Sequence, residues 1–309
     1  LFDGMSLEIL DVSDNGFTGT FPWAGLISNN ANSLKYLSID ENSFTGGVPA
    51  SLGSSVTGLV SIYMGDNRFS GSIPTTMSTL ANLDVLDMGN NIFTGNMDGS
   101  DYADLGNFPK LRVLDLGRQN FGNSDFSAVT WLNTLNQNGY LKELDIQDTG
   151  LTGKITSIFL GYATQLKYLD VSDNTITGTI AGDSRMTDLV YLEDFRFNGN
   201  DLDNRLDEDL CLIPNITSIT AFPGNLDLEC YPSCLLSFMS VTTNANGITT
   251  CEPTAIPTAS PTGRSQYIAQ HRVGPRTLST DWCHRIRVGS GGAGIAGGAK
   301  DQCDLFSPC

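Results

Sequence analysis

The residues able to take part in acid–base or nucleophilic chemistry are unevenly placed in this chain of 309 residues. Aspartates recur at nearly regular intervals over most of the length, whereas both histidines, His271 and His284, follow residue 263. Catalytic bases and nucleophiles are commonly activated by a neighbouring histidine or by burial in a cleft. The regular aspartate pattern instead indicates an even surface with no cleft to desolvate the carboxylates or shift their pKa. We therefore expect no catalytic residues, no metal site and no cofactor.

The charge of the chain limits its partners. It carries 34 acidic and 17 basic residues, a formal net charge of −17, and residues 264–309 hold six of the basic residues but three of the acidic ones. Clustered lysine and arginine are needed to bind phosphate backbones, so we expect no nucleic acid partner. No apolar run reaches the roughly 18 residues of a membrane span. The opening LFDGMSLEIL lacks a basic signal-peptide segment, and we interpret it as that of a mature or truncated chain.

One segment, LxxLxLxxN followed by FTG or a related triplet, recurs through most of the sequence. Its first leucines are Leu7, Leu34, Leu59, Leu83, Leu111, Leu141, Leu166 and Leu192, and a degenerate ninth copy starts at Ile216. Alternation within LxxLxL predicts a strand whose apolar residues face one side. Because one such strand has no core of its own, we predict stacked copies that share a parallel sheet and a continuous apolar core.

Two other positions of the repeat are predicted to be structural. An asparagine side chain can bond the backbone of the turn after each strand, at Asn15, Asn42, Asn67, Asn91, Asn174 and Asn200. Gln119 and Thr149 replace it in the fifth and sixth copies, which predicts weaker turns there. The position two residues further on is predicted to form a stacked apolar row of Phe17, Phe44, Phe69, Phe93, Phe121, Leu151, Ile176 and Leu202.

With this repeat and continuations such as FTGTFP at 17–22, residues 7–228 resemble leucine-rich repeat proteins of the plant type. That class includes ectodomains of receptor-like proteins and kinases, and secreted inhibitors of wall-degrading enzymes. The resemblance implies an α/β solenoid, an arc of eight full repeats plus a degenerate ninth with a parallel concave β-sheet. It also implies a second short sheet built from the FTG segments, an extracellular or cell-surface location and a role in recognition.

The chain is predicted to divide into four regions. They are a repeat solenoid over 1–210, a degenerate last repeat and cysteine-bearing cap over 211–252, a Pro/Thr linker over 253–263, and a glycine-rich basic tail over 264–309 that is not an independent domain. The irregular fifth copy is expected to carry a helix that begins after Ser124 or Asp125, with Phe126, Val129, Leu132 and Leu135 on its apolar side.

Cysteines cluster where the repeat array ends. The disulfide candidates are Cys211, Cys230, Cys234 and Cys251, and the sequence does not choose among their three possible pairings. Asn215, in Asn-Ile-Thr, is the one N-glycosylation sequon. The total of seven cysteines is odd, and together with the basic tail this indicates possible self-association through the C-terminal tail.

The strand positions between the apolar residues are expected to form rows on the concave face. The candidate ligand-binding residues are Asp11, Tyr36, Ser38, Tyr63, Asp87, Asp115, Asp145, Tyr168, Asp170 and Arg196. Carboxylates on adjacent strands lie about 5 Å apart and repel one another. Solvent, a cation, a basic partner or the flanking cations Lys35, Arg112, Lys142 and Lys167 must offset this repulsion.

These features predict an extracellular recognition module whose concave acidic and aromatic face binds a protein, peptide or glycan. The alternative is a structural component of a cell wall, matrix or surface assembly. The hydroxyl groups of the FTG segments form a second candidate surface, for ordered water or polysaccharide, at Thr18, Thr45, Ser70, Thr94, Thr152 and Thr177.

Overall fold

The computed structural model describes residues 5–99, 101–180, 184–237 and 248–251. The predicted Pro/Thr linker and basic tail, with the proposed self-association, lie outside the described residues. Within the described part of the chain, nine three-residue strands pair in parallel and in sequence order. They are Ile9–Asp11, Tyr36–Ser38, Ser61–Tyr63, Val85–Asp87, Val113–Asp115, Glu143–Asp145, Tyr168–Asp170, Asp194–Arg196 and Ser218–Thr220. The predicted solenoid of eight full repeats and a degenerate ninth is confirmed.

The core runs the length of the array directly behind this sheet. The middle residue of each strand from the second to the ninth is fully buried: Leu37, Ile62, Leu86, Leu114, Leu144, Leu169, Phe195 and Ile219. Since successive strand residues point to opposite sides, the residues on either side of each buried one face the concave surface. The repeat pattern therefore places the candidate binding residues in continuous rows.

The asparagines that follow the strands of the repeats, which we call the ladder asparagines, form hydrogen bonds between each turn and the turn of the preceding repeat. Asn67 donates through Nδ2 to the carbonyl oxygens of Ile39 and Gly65, both at 2.9 Å, and its Oδ1 accepts the Phe44 N–H at 2.9 Å. The ninth copy keeps this arrangement with Asn225, a residue that the sequence pattern did not identify. Asn225 lies one position late because the segment that contains the cis Phe222–Pro223 bond adds a residue.

The second sheet is present but divided into two within the described residues. Its first part pairs Thr18–Thr20, Ser43–Gly46, Arg68–Gly71 and Ile92–Phe93, and its second pairs Thr152–Gly153, Thr175–Gly178, Asp201–Arg205, Asp227–Tyr231 and Thr249–Thr250. The division falls in the fifth repeat, where FGN replaces FTG. The hydroxyl row of the FTG segments is therefore not continuous.

The aromatic row stops at the same repeat. The rings of Phe17, Phe44, Phe69 and Phe93 stack at centroid distances of 6.0, 6.3 and 6.4 Å. Phe121 instead meets the edge of Tyr102 at 5.5 Å, with 78° between the ring planes. The fifth repeat thus departs from the array both in its second strand and in its aromatic contact.

Short helices line the side of the array opposite the concave sheet. The α-helices are Trp23–Asn30, Ser51–Ser55, Thr130–Gln137 and Ser157–Tyr162, and the 3-10 helices are Thr75–Thr79, Ala103–Asn107, Phe126–Ala128, Ser184–Asp188, Glu208–Leu212 and Ser233–Ser237. The prediction of one continuous helix in the fifth copy is wrong, because the structure has a 3-10 helix followed by a separate α-helix. Asp125 caps the 3-10 turn by accepting the Ser127 N–H at 2.9 Å, and the α-helix starts only after Val129.

Two disulfides close the C-terminal end of the array. Cys211 is joined to Cys234, and Cys230 is joined to Cys251. Beneath them Leu228 and Leu235 are buried against the last repeat. This segment covers the apolar end that a stack of repeats would otherwise expose to water.

Candidate ligand-binding face

Four aspartates occupy the same position on four adjacent strands. The parallel register pairs Asp87 with Asp115, Asp115 with Asp145, and Asp145 with Asp170. We call these four residues the aspartate row. Adjacent strands of a sheet lie about 4.8 Å apart, so four carboxylates are arranged side by side across the middle of the concave face.

Each carboxylate in the aspartate row is held by the turn that follows its strand. The Oδ1 atoms of Asp87, Asp115, Asp145 and Asp170 accept the N–H two residues ahead, at 3.1, 2.8, 3.0 and 2.9 Å. The residue ahead is glycine in two cases. A Cβ at Gly89 would lie 2.6 Å from Asp115 Oδ1, and one at Gly117 would lie 2.8 Å from Asp145 Oδ1. These glycines, which the sequence analysis did not select, leave the space into which the next carboxylate leans.

The aspartate row is more buried than an even surface would allow. Burial, reinforced by repulsion from other aspartates, raises the pKa of Asp87 and of Asp115 to about 6 and that of Asp145 to about 7. The expectation that nothing desolvates these carboxylates is therefore wrong. The concave curvature and the leaning of each carboxylate towards the neighbouring repeat reduce its contact with water.

At its Asp170 end, the aspartate row lies beside a cationic side chain of the same protein, Arg196. Asp170 pairs in register with Arg196, whose guanidinium lies 5.0 Å from the centre of the Tyr168 ring and 3.9 Å from Asp170 Oδ2. Arg196 also contacts Asp194 at 2.7 Å, and the Tyr168 hydroxyl donates to Asp170 Oδ2 at 3.0 Å. Asp170 is thus compensated within the protein, and at 2% exposed it is inaccessible as a ligand contact.

Compensation decreases along the row away from Arg196. Asp145 Oδ2 accepts the Gln147 side-chain amide at 3.0 Å. Among the described residues, Oδ2 of Asp87 and Oδ2 of Asp115 accept no hydrogen bond from the protein. Both of these oxygens are therefore open to a donor from solvent or from a ligand.

The flanking cations do not offset the charge of the aspartate row. Three of them pair with carboxylates in the row that precedes the concave positions: Lys35 with Glu8 and Lys167 with Glu193, each at 3.4 Å, and Arg112 with Asp84. The Arg112 contact lowers the pKa of Asp84. Of the alternatives that the sequence left open, the flanking cations are thus not supported for these three residues, because they are engaged one row away.

Tyrosines border the other end of the aspartate row. Tyr63 pairs in register with Asp87 and packs against Tyr36, with ring centroids 5.5 Å apart. Ser38 precedes Tyr63 in the same row, but it is 4% exposed and its hydroxyl donates to Asp40, so it is not available to a ligand. Asp11 lies exposed on the first strand, where bonds from Ser13 lower its pKa.

The accessible part of the candidate site is therefore smaller than the sequence indicated. It comprises the tyrosine pair Tyr36 and Tyr63, the carboxylates Asp87, Asp115 and Asp145, and the Tyr168–Arg196 pair at the far end. Asp11 belongs to the same row but is separated from the carboxylates by Ser38 and Tyr63. Asn215 is exposed in the loop before the ninth strand, away from this face, and its side chain donates to Val190 O at 2.6 Å.

The same described residues contain neither a metal-binding cluster nor a membrane-spanning helix. There, no group of three or more histidine, cysteine, aspartate or glutamate side chains is arranged to hold a metal ion. In the described part of the chain, no helix combines the length and the apolar character required to cross a lipid bilayer.

Comparison with known families finds repeats of one kind. A family described as Leucine Rich Repeat matches residues 6–25 and 33–55, and a second leucine-rich repeat family matches residues 162–182. Receptor-like protein 18 of Arabidopsis thaliana is 30% identical over 129 residues, which are 41% of this chain and 14% of that protein. Cuscuta receptor 1 of Solanum lycopersicum is 28% identical over 170 residues, or 54% and 14% of the two chains. The chain therefore matches only a small part of the length of these relatives.

Solved structures with the same fold include plant receptors in complex with their partners. The plant peptide hormone receptor RGFR1, solved in complex with RGF2, is 26% identical with a TM-score of 0.58, over 72% of this chain and 37% of that one. The ectodomain of the Arabidopsis thaliana receptor kinase GASSHO1/SCHENGEN3, in complex with CASPARIAN STRIP INTEGRITY FACTOR 2, is 25% identical with a TM-score of 0.53, over 71% and 27%.

Proposed function

We propose that this chain, which is a leucine-rich repeat protein of the plant type, is an extracellular recognition module that binds a basic peptide or protein segment on its concave face. The observation that carries the proposal is a pair of adjacent carboxylates beside Tyr63, those of Asp87 and Asp115, whose Oδ2 atoms accept no hydrogen bond from the described residues. The similarity to the plant peptide hormone receptor RGFR1, solved in complex with RGF2, supports a peptide ligand, and the two disulfides support a location outside the cytosol. We propose binding without catalysis.

Arg196 is the chain's own example of how a basic side chain fits this face. Its guanidinium combines a carboxylate contact with the face of a tyrosine ring, an arrangement that stabilises a cation both by charge and by the ring quadrupole. Tyr63 beside Asp87 offers the same two elements without a cation of the chain in place. An arginine of the ligand would therefore lie over Tyr63 and contact Asp87.

The raised pKa values connect this binding to pH. A cation binds the ionised carboxylate, so the affinity should increase as the pH rises through the pKa values of about 6 for Asp87 and Asp115. Below that range the aspartates are protonated and attract a basic ligand weakly. Binding near neutral pH should release protons, because the bound cation lowers the pKa of both aspartates.

The proposal can be tested with labelled octapeptides of alternating arginine and alanine, or glutamate and alanine, by fluorescence anisotropy. We expect the arginine peptide to bind, and to bind more tightly at a pH above the two pKa values than below them. Asp87→Asn and Asp115→Asn should each weaken binding about tenfold, the effect of losing one hydrogen bond to a charged group.

Asp227→Asn is the matched control, because it removes the same charge from an exposed position on the second sheet. It should leave the affinity unchanged. Equal binding of the glutamate peptide, or equal losses in the control and in the two row variants, would refute a site on the aspartate row.

A further inference from the structure

The irregular fifth repeat opens a pocket on the edge of the solenoid where the second sheet is divided. The pocket has a volume of about 310 Å³ and lies where the fifth, sixth and seventh repeats turn away from the concave sheet. We call it the rim pocket. It lies beyond the aspartate row and shares no residue with it.

The mouth of the rim pocket carries three charged side chains on consecutive repeats. Arg118, Asp148 and Asp173 each follow a concave strand, and each has a left-handed backbone conformation with φ of 55, 48 and 54°. All three are exposed. The pocket is therefore bordered by one guanidinium and two carboxylates on the side nearer the concave face.

The opposite border has a gap between two polar side chains. Asn120, Gly150 and Thr175 hold equivalent positions in the three repeats, and the middle one carries no side chain. A Cβ at Gly150 would lie 2.6 Å from Gly122 O, and φ there is +78°. Glycine is thus required by the backbone at this point, because Gly122 O and the Asn120 side chain occupy the space that a Cβ would take.

The floor contains a buried polar group without a partner. Gln119, which replaces the ladder asparagine, is 5% exposed, and its Nε2 donates to Met88 O and Leu116 O at 3.2 and 2.9 Å. Its Oε1 accepts no hydrogen bond from the described residues. In a regular repeat the equivalent oxygen accepts an N–H from the preceding repeat, as Asn67 does from Phe44. An unpaired buried acceptor is unfavourable, and it marks the point where the fifth repeat departs from the regular packing of the array.

The combination of groups restricts the ligand class. Asp148 and Asp173 supply acceptors, whereas Arg118 and the Asn120 amide supply donors. A cationic ligand would be repelled by Arg118, and a phosphate or carboxylate would be repelled by the two aspartates. Hydroxyl groups both donate and accept, so a polyhydroxylated ligand suits every part of the lining.

From these observations we propose that the rim pocket binds one sugar unit of a glycan. Its volume is at the lower end of the about 300–1,000 Å³ of ligand pockets, which corresponds to a single small ring. The exposed mouth allows the rest of the glycan to continue along the surface. This site is separate from the one on the aspartate row, so the chain would carry two ligand surfaces.

The test uses soluble tetrasaccharides of glucose, xylose, N-acetylglucosamine and galacturonic acid, with tetra-arginine for comparison, measured by isothermal titration calorimetry. We expect a neutral tetrasaccharide to bind the unaltered chain. Arg118→Asn and Asp148→Asn should each weaken it about tenfold. Asparagine is chosen because it tolerates the left-handed conformation at both positions.

Asp14→Asn provides the matched control, since Asp14 is exposed, has φ of 50° and lies at the equivalent position of the first repeat. Saccharide binding should be unchanged in this control and in Asp115→Asn, which separates the rim pocket from the aspartate row. The proposal is overturned if no tetrasaccharide binds, if binding survives both rim variants, or if the rim variants abolish binding of tetra-arginine instead.

Discussion

Replacement of Asp115 by asparagine should stabilise the protein in a pH-dependent manner. Asp115 lies between Asp87 and Asp145 in the register of the sheet, so its charge faces a carboxylate on either side. Asparagine keeps the size of the side chain and the oxygen that accepts the Gly117 N–H at 2.8 Å. The substitution therefore removes the charge while the turn retains its hydrogen bond.

The magnitude follows from the pKa of Asp115. Burial, with repulsion from Asp87, raises that pKa from 3.8 to about 6. The difference is about 2 pH units, and each unit corresponds to about 1.4 kcal/mol. Between these two values the folded chain retains a proton that the unfolded chain has released, so the free energy of unfolding falls as the pH rises. Above pH 6 the loss is complete, and Asp115→Asn should recover about 2–3 kcal/mol of it.

Urea denaturation followed by circular dichroism, at one pH below 3.8 and one above about 6, measures this effect directly. The variant should match the unaltered protein at the lower pH and exceed it at the higher pH. Asp227→Asn, an exposed carboxylate on the second sheet, should show no such gain. A gain that is equal at both pH values, or a loss at the higher pH, would show that the charge of Asp115 is not the cause.

Two further substitutions test how the array is held together. Asn67→Ala leaves the Phe44 N–H without its partner and should lower the free energy of unfolding by about 3 kcal/mol, measured by urea denaturation; an unchanged midpoint would contradict the role of the asparagine ladder. Joint replacement of Cys230 and Cys251 by serine opens a loop with a sequence separation of 21, which should lower stability by about 3 kcal/mol. Reductant should lower the melting temperature of the unaltered protein by more than that of the double variant, which keeps the Cys211–Cys234 bond, and an equal shift in both would show that the Cys230–Cys251 bond contributes nothing.

The arrangement of the concave face could be predicted from the sequence because it depends on two periods only. Alternation within LxxLxL decides which residues point outward, and the interval between copies decides which of them become neighbours. The pairing of Asp87 with Asp115 and of Tyr63 with Asp87 follows from these periods. The second sheet, in contrast, is what the resemblance to plant-type leucine-rich repeat proteins implies for the FTG segments.

The burial of individual side chains, and the pKa values that depend on it, could not be predicted in the same way. Ser38 and Asp170 hold outward positions yet are almost fully buried, because the adjacent side chains Asp40 and Tyr168 bond to them and cover them. The raised pKa values of the aspartate row have a similar origin. The division of the second sheet and the rim pocket arise where Gln119 and Gly150 break the pattern, and a periodic description cannot give the shape of an irregularity.

The structural role of the row does not account for its charge. Each aspartate uses Oδ1 to accept an N–H of its own turn, a bond that asparagine could also make. The sheet keeps the same register where Ser38, Tyr63 and Thr220 occupy the row, so the fold does not require a carboxylate at this position. Burial and mutual repulsion make the ionised carboxylates of Asp87 and Asp115 unfavourable in the isolated protein. A charge that the turn does not need and that destabilises the fold is what the proposed basic partner would contact through the outward oxygens.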